Sequence, residues 1–302
     1  MSFLNPVNEP VLRFKSTDAG APQINYNARV AGDVKTVLKA CLVTGYGAKA
    51  SAGWSVVNEI DHVTEFVGPS AAMSDYRLGI DDTSASSTTW YYQYQDARVN
   101  PTDNALTKNF NYIDKASDQN GWELITTERG FYFVEFFITS ETQAKQSRVT
   151  FFGQTKSAIV NASDNHNMGF WSVGHHAATV YSWQFFPPIA YTKRYYNING
   201  YKKAEFASSN IAIMSNYPIQ SELSVVDMIA DLYLVQDGLM LAQQPGLLLA
   251  PLKDLADRFG VYDTTVADRP VLYASLGVSR NDLESINGGT RGVMIRLDYW
   301  EY

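Results

Sequence analysis

Carboxylates are the residues of this chain with the widest chemical reach. Asp61, Glu65, Asp81, Asp82, Glu123 and Glu135 fall among aromatic stretches. Carboxylates beside rings suit glycoside hydrolysis, which needs one carboxyl kept protonated and another held at a set separation across the glycosidic bond. Spacing along the chain does not supply that separation. The pair Asp81-Asp82 leads into Thr83–Ser87 and reads first as a turn, where aspartate caps backbone or meets solvent. Glu135 stands inside the apolar run Phe131–Ile138, where burial demands a partner. An ion pair, buried or interfacial, is the first reading there and a catalytic acid the second.

The imidazoles offer metal chemistry. His166, His175 and His176 lie close together with Asp164, and neutral imidazole with carboxylate can hold a divalent cation. Adjacent His175 and His176 point to opposite faces of an extended chain, and no His-Glu-x-x-His helix is present. A polar interface loop is therefore expected and no metal site is assigned. Cys41 is the one cysteine, which excludes an internal disulfide and a cysteine-rich zinc site. Neither a Gly-x-Ser-x-Gly elbow nor a Walker loop occurs. Gly288-Gly289-Thr290-Arg291-Gly292 lacks the lysine and spacing of a phosphate loop and reads as a hairpin turn, and Met168-Gly169-Phe170-Trp171 reads as an aromatic loop. No catalytic, cofactor-binding or metal-binding residue is assigned, and an enzyme is not expected. The remaining chemistry is stacking on sugars, for which Trp90, Tyr91, Tyr92 and Tyr94, or Trp171 and Trp183, are the candidate platforms; aromatic strands more often build cores.

The elements that would position these groups are mostly strands. Residues 1–31 read as an extended arm with at most one short strand, because Pro6, Pro10 and Pro22 interrupt it and Asp18-Ala19-Gly20-Ala21-Pro22 forms a turn. One helix is clear: Asp33 can cap it, Val34, Val37, Leu38, Cys41 and Leu42 recur at helical spacing, and Gly45 and Gly47 stop it. Cys41 belongs to its core face. After Trp54 short β-branched and aromatic runs follow, at Glu65–Val67, Tyr76–Ile80, Thr88–Tyr94, Trp122–Ile125, Phe131–Ile138 and Val149–Gly153, parted by Gly, Pro, Ser, Asn and Asp. Phe131–Ile138 is apolar on both faces apart from Glu135, as between two packed layers. A longer loop over Thr126–Gly130 joins it to Trp122–Ile125.

Residues 161–176 read as loop, and Ser224–Leu241 admits a helical stripe (Val225, Met228, Ile229, Leu232) or strands, with strands favoured. Pro245–Leu252 is expected to lie buried beside a sheet; Val271–Leu276 and Val293–Leu297 are the last strands, with Asn287-Gly288-Gly289 as the turn. The expected fold is mainly β, a sandwich or barrel-like body over 32–302 that admits a division into two subdomains near 140–147, with one short helix and the N-terminal arm.

Composition narrows the function classes. Apolar residues reach 45% while charged ones are only 18%, a thin charged skin for a dispersed monomer. With 13% aromatics this suits surface hidden against partners, and equally a strand-rich fold. A net charge of −7 argues against broad nucleic-acid binding, which needs a basic face; Lys193-Arg194 and Lys202-Lys203 are too short to change that. No apolar stretch approaches the ~20 residues that span a bilayer, and Met1–Pro6 lacks the pattern of a secretion signal.

Asp18–Pro22 followed by Val37–Trp54, with its Gly45-Tyr46-Gly47 and Ala52-Gly53-Trp54, resembles the opening of a family of virion structural proteins of tailed bacteriophages. Tyr76–Asp82, Trp122–Phe133, Phe151-Phe152-Gly153 and Pro245–Leu252 resemble the family's later blocks in the same order, so the likeness spans nearly the whole chain. Tyr181–Ala207 has no counterpart and Gln154 stands where the family has Asp, so no loop ligand is carried over. The resemblance implies a building part of the tail, neck or baseplate, with a ring around the tail tube as first choice, made in the host cytoplasm and carried in the virion. It implies several symmetric copies and neighbouring tail proteins as partners, and no catalytic residue or cofactor. The C-terminal Tyr299-Trp300-Glu301-Tyr302 would then serve as an aromatic anchor on a neighbour. A carbohydrate- or host-receptor-binding module is the alternative, and a glycoside hydrolase the third reading.

Overall fold

Short apolar runs broken by turn formers fold as strands, and the computed structural model is mainly β, with one α-helix among the described residues. The structure describes residues 7–24, 30–74, 76–83, 89–96, 106–111, 119–138, 146–157, 168–174, 196–197, 200–201, 230–236, 239–251, 261–262, 272–274 and 291–302. In chain order the first elements are β1 (Asn8–Pro10), β2 (Leu12–Lys15), α1 (Asp33–Lys39), β3 (Ser55–Ile60), β4 (Val63–Val67), β5 (Tyr76–Asp81), β6 (Thr89–Asp96) and β7 (Leu106–Asn111). They are followed by β8 (Gln119–Thr127), β9 (Gly130–Ile138), β10 (Gln146–Gln154), β11 (Lys156–Ser157), β12 (Met168–Gly174), β13 (Tyr196–Asn197) and β14 (Gly200–Tyr201). The last are β15 (Ala230–Gln236), β16 (Leu239–Pro251), β17 (Val261–Tyr262), β18 (Leu272–Ala274), β19 (Arg291–Arg296) and β20 (Tyr299–Glu301). The chain forms two compact units, one of residues 12–135 and one of residues 1–11 with 136–302.

In the unit of residues 12–135, β3 to β7 form an antiparallel meander in chain order, while β2 pairs with β8 and β8 with β9. The alternation in β4 works as its period predicts: Thr64 and Phe66 are buried while Val63, Glu65 and Val67 are half-covered. β9 is apolar on both faces, and Phe131, Tyr132, Phe133 and Val134 are all fully buried. The turn between β8 and β9 is shorter than its sequence suggests. Only Glu128 and Arg129 lie outside the strands, because Thr126 Oγ1 donates to Gly130 O (3.0 Å) and Thr127 Oγ1 accepts from Arg129 N–H (3.2 Å), closing the hairpin with side chains.

The helix carries the expected stripe. Val34, Val37, Leu38, Cys41 and Leu42 are fully buried, the last two on a π-helical turn, Ala40–Thr44, that widens the helix before Gly45 ends it. Its cap differs from expectation. Asp33 is already helical and its carboxylate accepts from Val30 N–H (2.9 Å), while Gly32 holds the cap position at φ 89°. The carboxylate reaching the first turn is Asp82, from the end of β5, which accepts from Val34 N–H (2.8 Å) and Lys35 N–H (3.1 Å). A left-handed glycine has no side chain to cap with, so the oxygen comes from a strand instead.

The arm departs from the sequence reading as well, since it carries two short strands, β1 and β2. Pro10 explains how β1 survives. Val7 and Tyr302 exchange both backbone hydrogen bonds (3.1 and 3.0 Å), so the alternate pairs Asn8↔Glu301 and Pro10↔Tyr299 are the non-hydrogen-bonded ones. The missing proline N–H is therefore not needed by this ladder.

In the other unit, β10 pairs with β12, and β16 is central to a sheet with β11, β15, β19, β18 and β17. Met168–Trp171 thus lies in a strand and not in a loop: Phe151 pairs with Trp171 and Phe152 with Phe170, and the ladder to β10 overrides the loop-forming composition just before it. Residues 231–235 are strand, as favoured, and the alternative helical residues 225–229 fall outside the described residues. Pro245–Pro251 runs within the sheet and not beside it. The ladder to β15 jumps from Asp231↔Leu248 to Tyr233↔Gln243, which leaves Pro245 and Gly246 (φ 65°) in a bulge where no proline donor is required.

Candidate functional site

Three of the blocks that carry the family resemblance, Asp18–Pro22, Val37–Trp54 and Trp122–Phe133, meet in one cluster of the unit of residues 12–135. Asp18 is its centre. One carboxylate oxygen, Oδ2, accepts from Lys15 N–H (2.8 Å), Tyr46 O–H (2.9 Å) and Lys49 Nζ (2.6 Å). Lys49 Nζ also donates to Arg13 O (2.7 Å) and sits 5.7 Å from the Phe14 ring centroid. Two turns supply these groups: Asp18 N–H and Ala21 N–H close the first on Lys15 O and Asp18 O, and Tyr46 and Lys49 exchange backbone hydrogen bonds in the second. The turns touch through glycines. A Cβ on Gly47 would collide with the Ala19 carbonyl oxygen, and one on Gly20 would lie 3.2 Å from Gly47 backbone atoms. That close approach is the physical reason both positions take glycine.

Aromatic rings complete the cluster. Tyr46 meets Trp122 edge-on with centroids 6.3 Å apart, and Phe14 lies 5.9 Å from Tyr46. Trp122 Nε1–H donates to Pro22 O (3.0 Å), tying β8 to the first turn. Trp54 packs edge-on against Phe131 at 5.5 Å, and its backbone N–H donates to Leu42 O (2.9 Å) at the end of the helix.

Burial alone would raise the Asp18 carboxyl, but its hydrogen bonds from Lys49, the Lys15 N–H and Tyr46 outweigh that and hold it below the usual carboxylate range. Burial, and then the hydrogen bond to Asp18, push the Tyr46 phenol up. Burial followed by the charge of Asp18 does the same to the Cys41 thiol. At neutral pH the cluster therefore holds an ionised acceptor, a protonated phenol and a protonated thiol. None is poised as a nucleophile or base; the arrangement fastens two turns, a helix and a strand together.

The carboxylates considered for hydrolysis have separate engagements. Asp82 is 1% exposed at the start of α1, and Asp81 accepts from Thr83 N–H (3.0 Å). Glu123 forms a two-point pair with Arg13 (2.8 and 2.9 Å), and Glu65 meets Arg77 at 3.3 Å. Asp61 occupies the turn from β3 to β4 at φ 51°, and Glu135 is fully buried in β9. Among the described residues no group of His, Cys, Asp and Glu converges to hold a metal ion. Asp164, His166, His175, His176, Trp183 and Gly288 to Thr290 lie outside the described residues, as do the side chains of Trp90, Tyr91, Tyr92, Tyr94 and Trp171.

The C-terminal aromatics, expected as an anchor on a neighbour, are used within their own unit: Trp300 is fully buried and Tyr302 4% exposed. Trp300 lies against Gly246 and donates from Nε1 to Arg296 O (3.0 Å). Arg296 in turn pairs with Asp298 (2.9 and 2.6 Å) and sits 3.9 Å over the Tyr299 ring.

Sequence reasoning missed the joining of Asp18, Tyr46 and Lys49. The only signal was the glycines on either side of Tyr46, which allow close backbone approach. No described helix is long and apolar enough to cross a membrane. No family model, curated protein or solved structure matches the chain.

Proposed function

We propose that this chain is a structural component of a tailed-bacteriophage virion, in the tail or baseplate, where several copies hold neighbouring proteins in register. One observation carries the reading. Asp18–Pro22, Val37–Trp54 and Trp122–Phe133, three of the blocks that resemble the virion family, engage one another through the Asp18–Tyr46, Asp18–Lys49 and Trp122–Pro22 contacts and through packed rings. Polar groups engaged in this way serve a scaffold. On this reading the chain performs no bond-breaking step, and its work is mechanical.

Surface features support assembly. β3 stands at the edge of its sheet with Val57 45% and Ile60 64% exposed. An edge of this kind needs either a partner or protection. Its protection here is partial, a bulge at Val57 and the pairing of Glu59 with Lys35 (2.9 Å) and Lys39 (2.6 Å).

The test is the mass of the purified chain by light scattering behind a sizing column, alone and after mixing with tail proteins from the same particle. A discrete ring or a defined mixed complex is the expected result. A chain that stays monomeric with every tail protein would overturn the proposal.

A further inference from the structure

We propose that β3 pairs with β3 of a second copy, antiparallel about a two-fold axis at Glu59, a contact that rests on the assembly reading and names the strand through which copies meet.

The backbone of β3 offers a free edge at a defined residue. Asp82 N–H donates to His62 O (3.1 Å), a hydrogen-bonded pair just beyond the partners Val63↔Asp81 of β4 and β5. Ladder positions alternate, so Thr64, opposite Ile80, also turns its N–H and C=O towards β5. Glu59, opposite Thr64 on the other side, therefore forms a non-hydrogen-bonded pair with it and directs its own N–H and C=O away from β4. β3 is the last strand of this sheet, and Asn58, Glu59 and Ile60 are all exposed. Among the described residues nothing takes those two backbone groups.

The chain covers a comparable edge elsewhere. β2 ends the row beside β8, and its outward groups are taken up: Lys15 N–H donates to Asp18 Oδ2 (2.8 Å), Lys15 O accepts from Asp18 N–H (3.0 Å), and Arg13 O accepts from Lys49 Nζ (2.7 Å). The cluster around Asp18 thus closes one edge, whereas β3 is left able to accept a strand.

Charge and side-chain order suit a second β3 as that strand. Cross-strand partners share a face, so Glu59 lies on the face of the buried Thr64, while Asn58 and Ile60 share the opposite face with Glu65 and Val63. Pairing about Glu59 lets its N–H and C=O exchange hydrogen bonds with those of the other copy, and it sets Asn58 opposite Ile60 on both sides of the axis. Ile60, 64% exposed, is then covered. Lys35 and Lys39 already hold each Glu59 carboxylate (2.9 and 2.6 Å). The axis therefore brings two carboxylates among four ammonium groups, and like charge does not oppose the contact. The bulge at Val57 interrupts the straight edge before Asn58, and the turn at Asp61-His62 ends it after Ile60, which fixes the register. A contact of this isologous kind closes as a dimer.

The test uses the full chain in two variants, Asn58→Cys and Ile60→Cys, each altering an exposed residue. Across the axis these two positions are non-hydrogen-bonded neighbours, with Cα atoms within disulfide reach, whereas identical positions lie on a longer diagonal. The native Cys41 is fully buried with its thiol pKa raised and does not compete. After oxidation of the two variants mixed, a denaturing gel without reductant should show a dimer band several-fold stronger than from either variant alone, and reduction should remove it. A mixture that crosslinks no more than the separate variants overturns the pairing. Light scattering of the unaltered chain separates this from the broader reading. Rings or mixed complexes without the mixed crosslink sink the β3 pairing and leave assembly standing, while a chain that stays monomeric with every tail protein sinks both.

Discussion

Gly246 and Trp300 show how much one hydrogen atom can decide. A Cβ at Gly246 would run into the indole of Trp300, and the backbone there sits at φ 65°. Gly246→Ala should lower stability by about 2–3 kcal/mol, the range for overpacking a fitted core together with a positive φ. Urea denaturation followed by tryptophan emission measures this, and an unchanged midpoint would mean that Trp300 can move aside. Thr64 predicts the opposite sign. Its hydroxyl is fully buried and finds no hydrogen-bond partner among the described residues. Thr64→Val should therefore gain about 1 kcal/mol, the desolvation cost recovered; a loss would reveal a hidden partner.

Asp18 makes stability depend on pH. Its folded-state pKa lies below the ordinary 3.8, so its contribution is fully present above that value and is lost as pH falls through the folded value. The sign is that of a carboxylate which the unfolded chain protonates first. Asp18→Asn should flatten the acid limb of a stability–pH curve below about pH 4 and cost about 1–3 kcal/mol at neutral pH, the worth of hydrogen bonds to a charged group. An unaltered acid limb would assign that dependence to other carboxylates, Asp298 foremost, which the Arg296 pair also holds low against its burial.

At the scale of elements, α1 is the clearest case of a local pattern completed from a distance. The spacing of Val34, Val37, Leu38, Cys41 and Leu42 was legible because a helix repeats its buried face every three to four residues. The cap was not, since Asp33 has the right type in the right place and only the approach of β5 puts Asp82 on the first turn. Asp82→Ala should cost about 1–2 kcal/mol and Asp82→Asn less, because an amide oxygen still accepts. Denaturation midpoints of the two variants give the comparison, and equal losses would point to charge instead of capping.

β12 and β16 failed to be legible for a related reason. Met168–Trp171 follows a run of Asn, Asp and Ser, and Pro245 would ordinarily end a strand. Both join sheets because a partner presents a ladder, β10 in one case and β15 with β19 in the other. Strand formation depends more on the neighbouring surface than on intrinsic preference.

For the whole molecule, the two compact units should unfold separately. Calorimetry is expected to show more than one transition. Gly246→Ala should lower one of them and Asp82→Ala the other. A single transition shifted by both variants would mean that the units melt together.

The order of residues by itself determined the local choices: a strand-rich chain, one helix with a stated buried face, the glycine stop after it and most strand positions. These follow from side-chain period and from turn chemistry, which act over a few residues. It also contained the signs of a candidate lock, in Asp18–Pro22 and Gly45–Lys49, without showing that they form one site. Only the tertiary structure decided that Asp18 holds Tyr46 and Lys49, that Asp82 caps α1, that β1 finds β20, and that the C-terminal aromatics are buried within their own unit. Each of those joins residues far apart in the chain, and its free energy depends on which surfaces are brought together, a quantity that no local window contains.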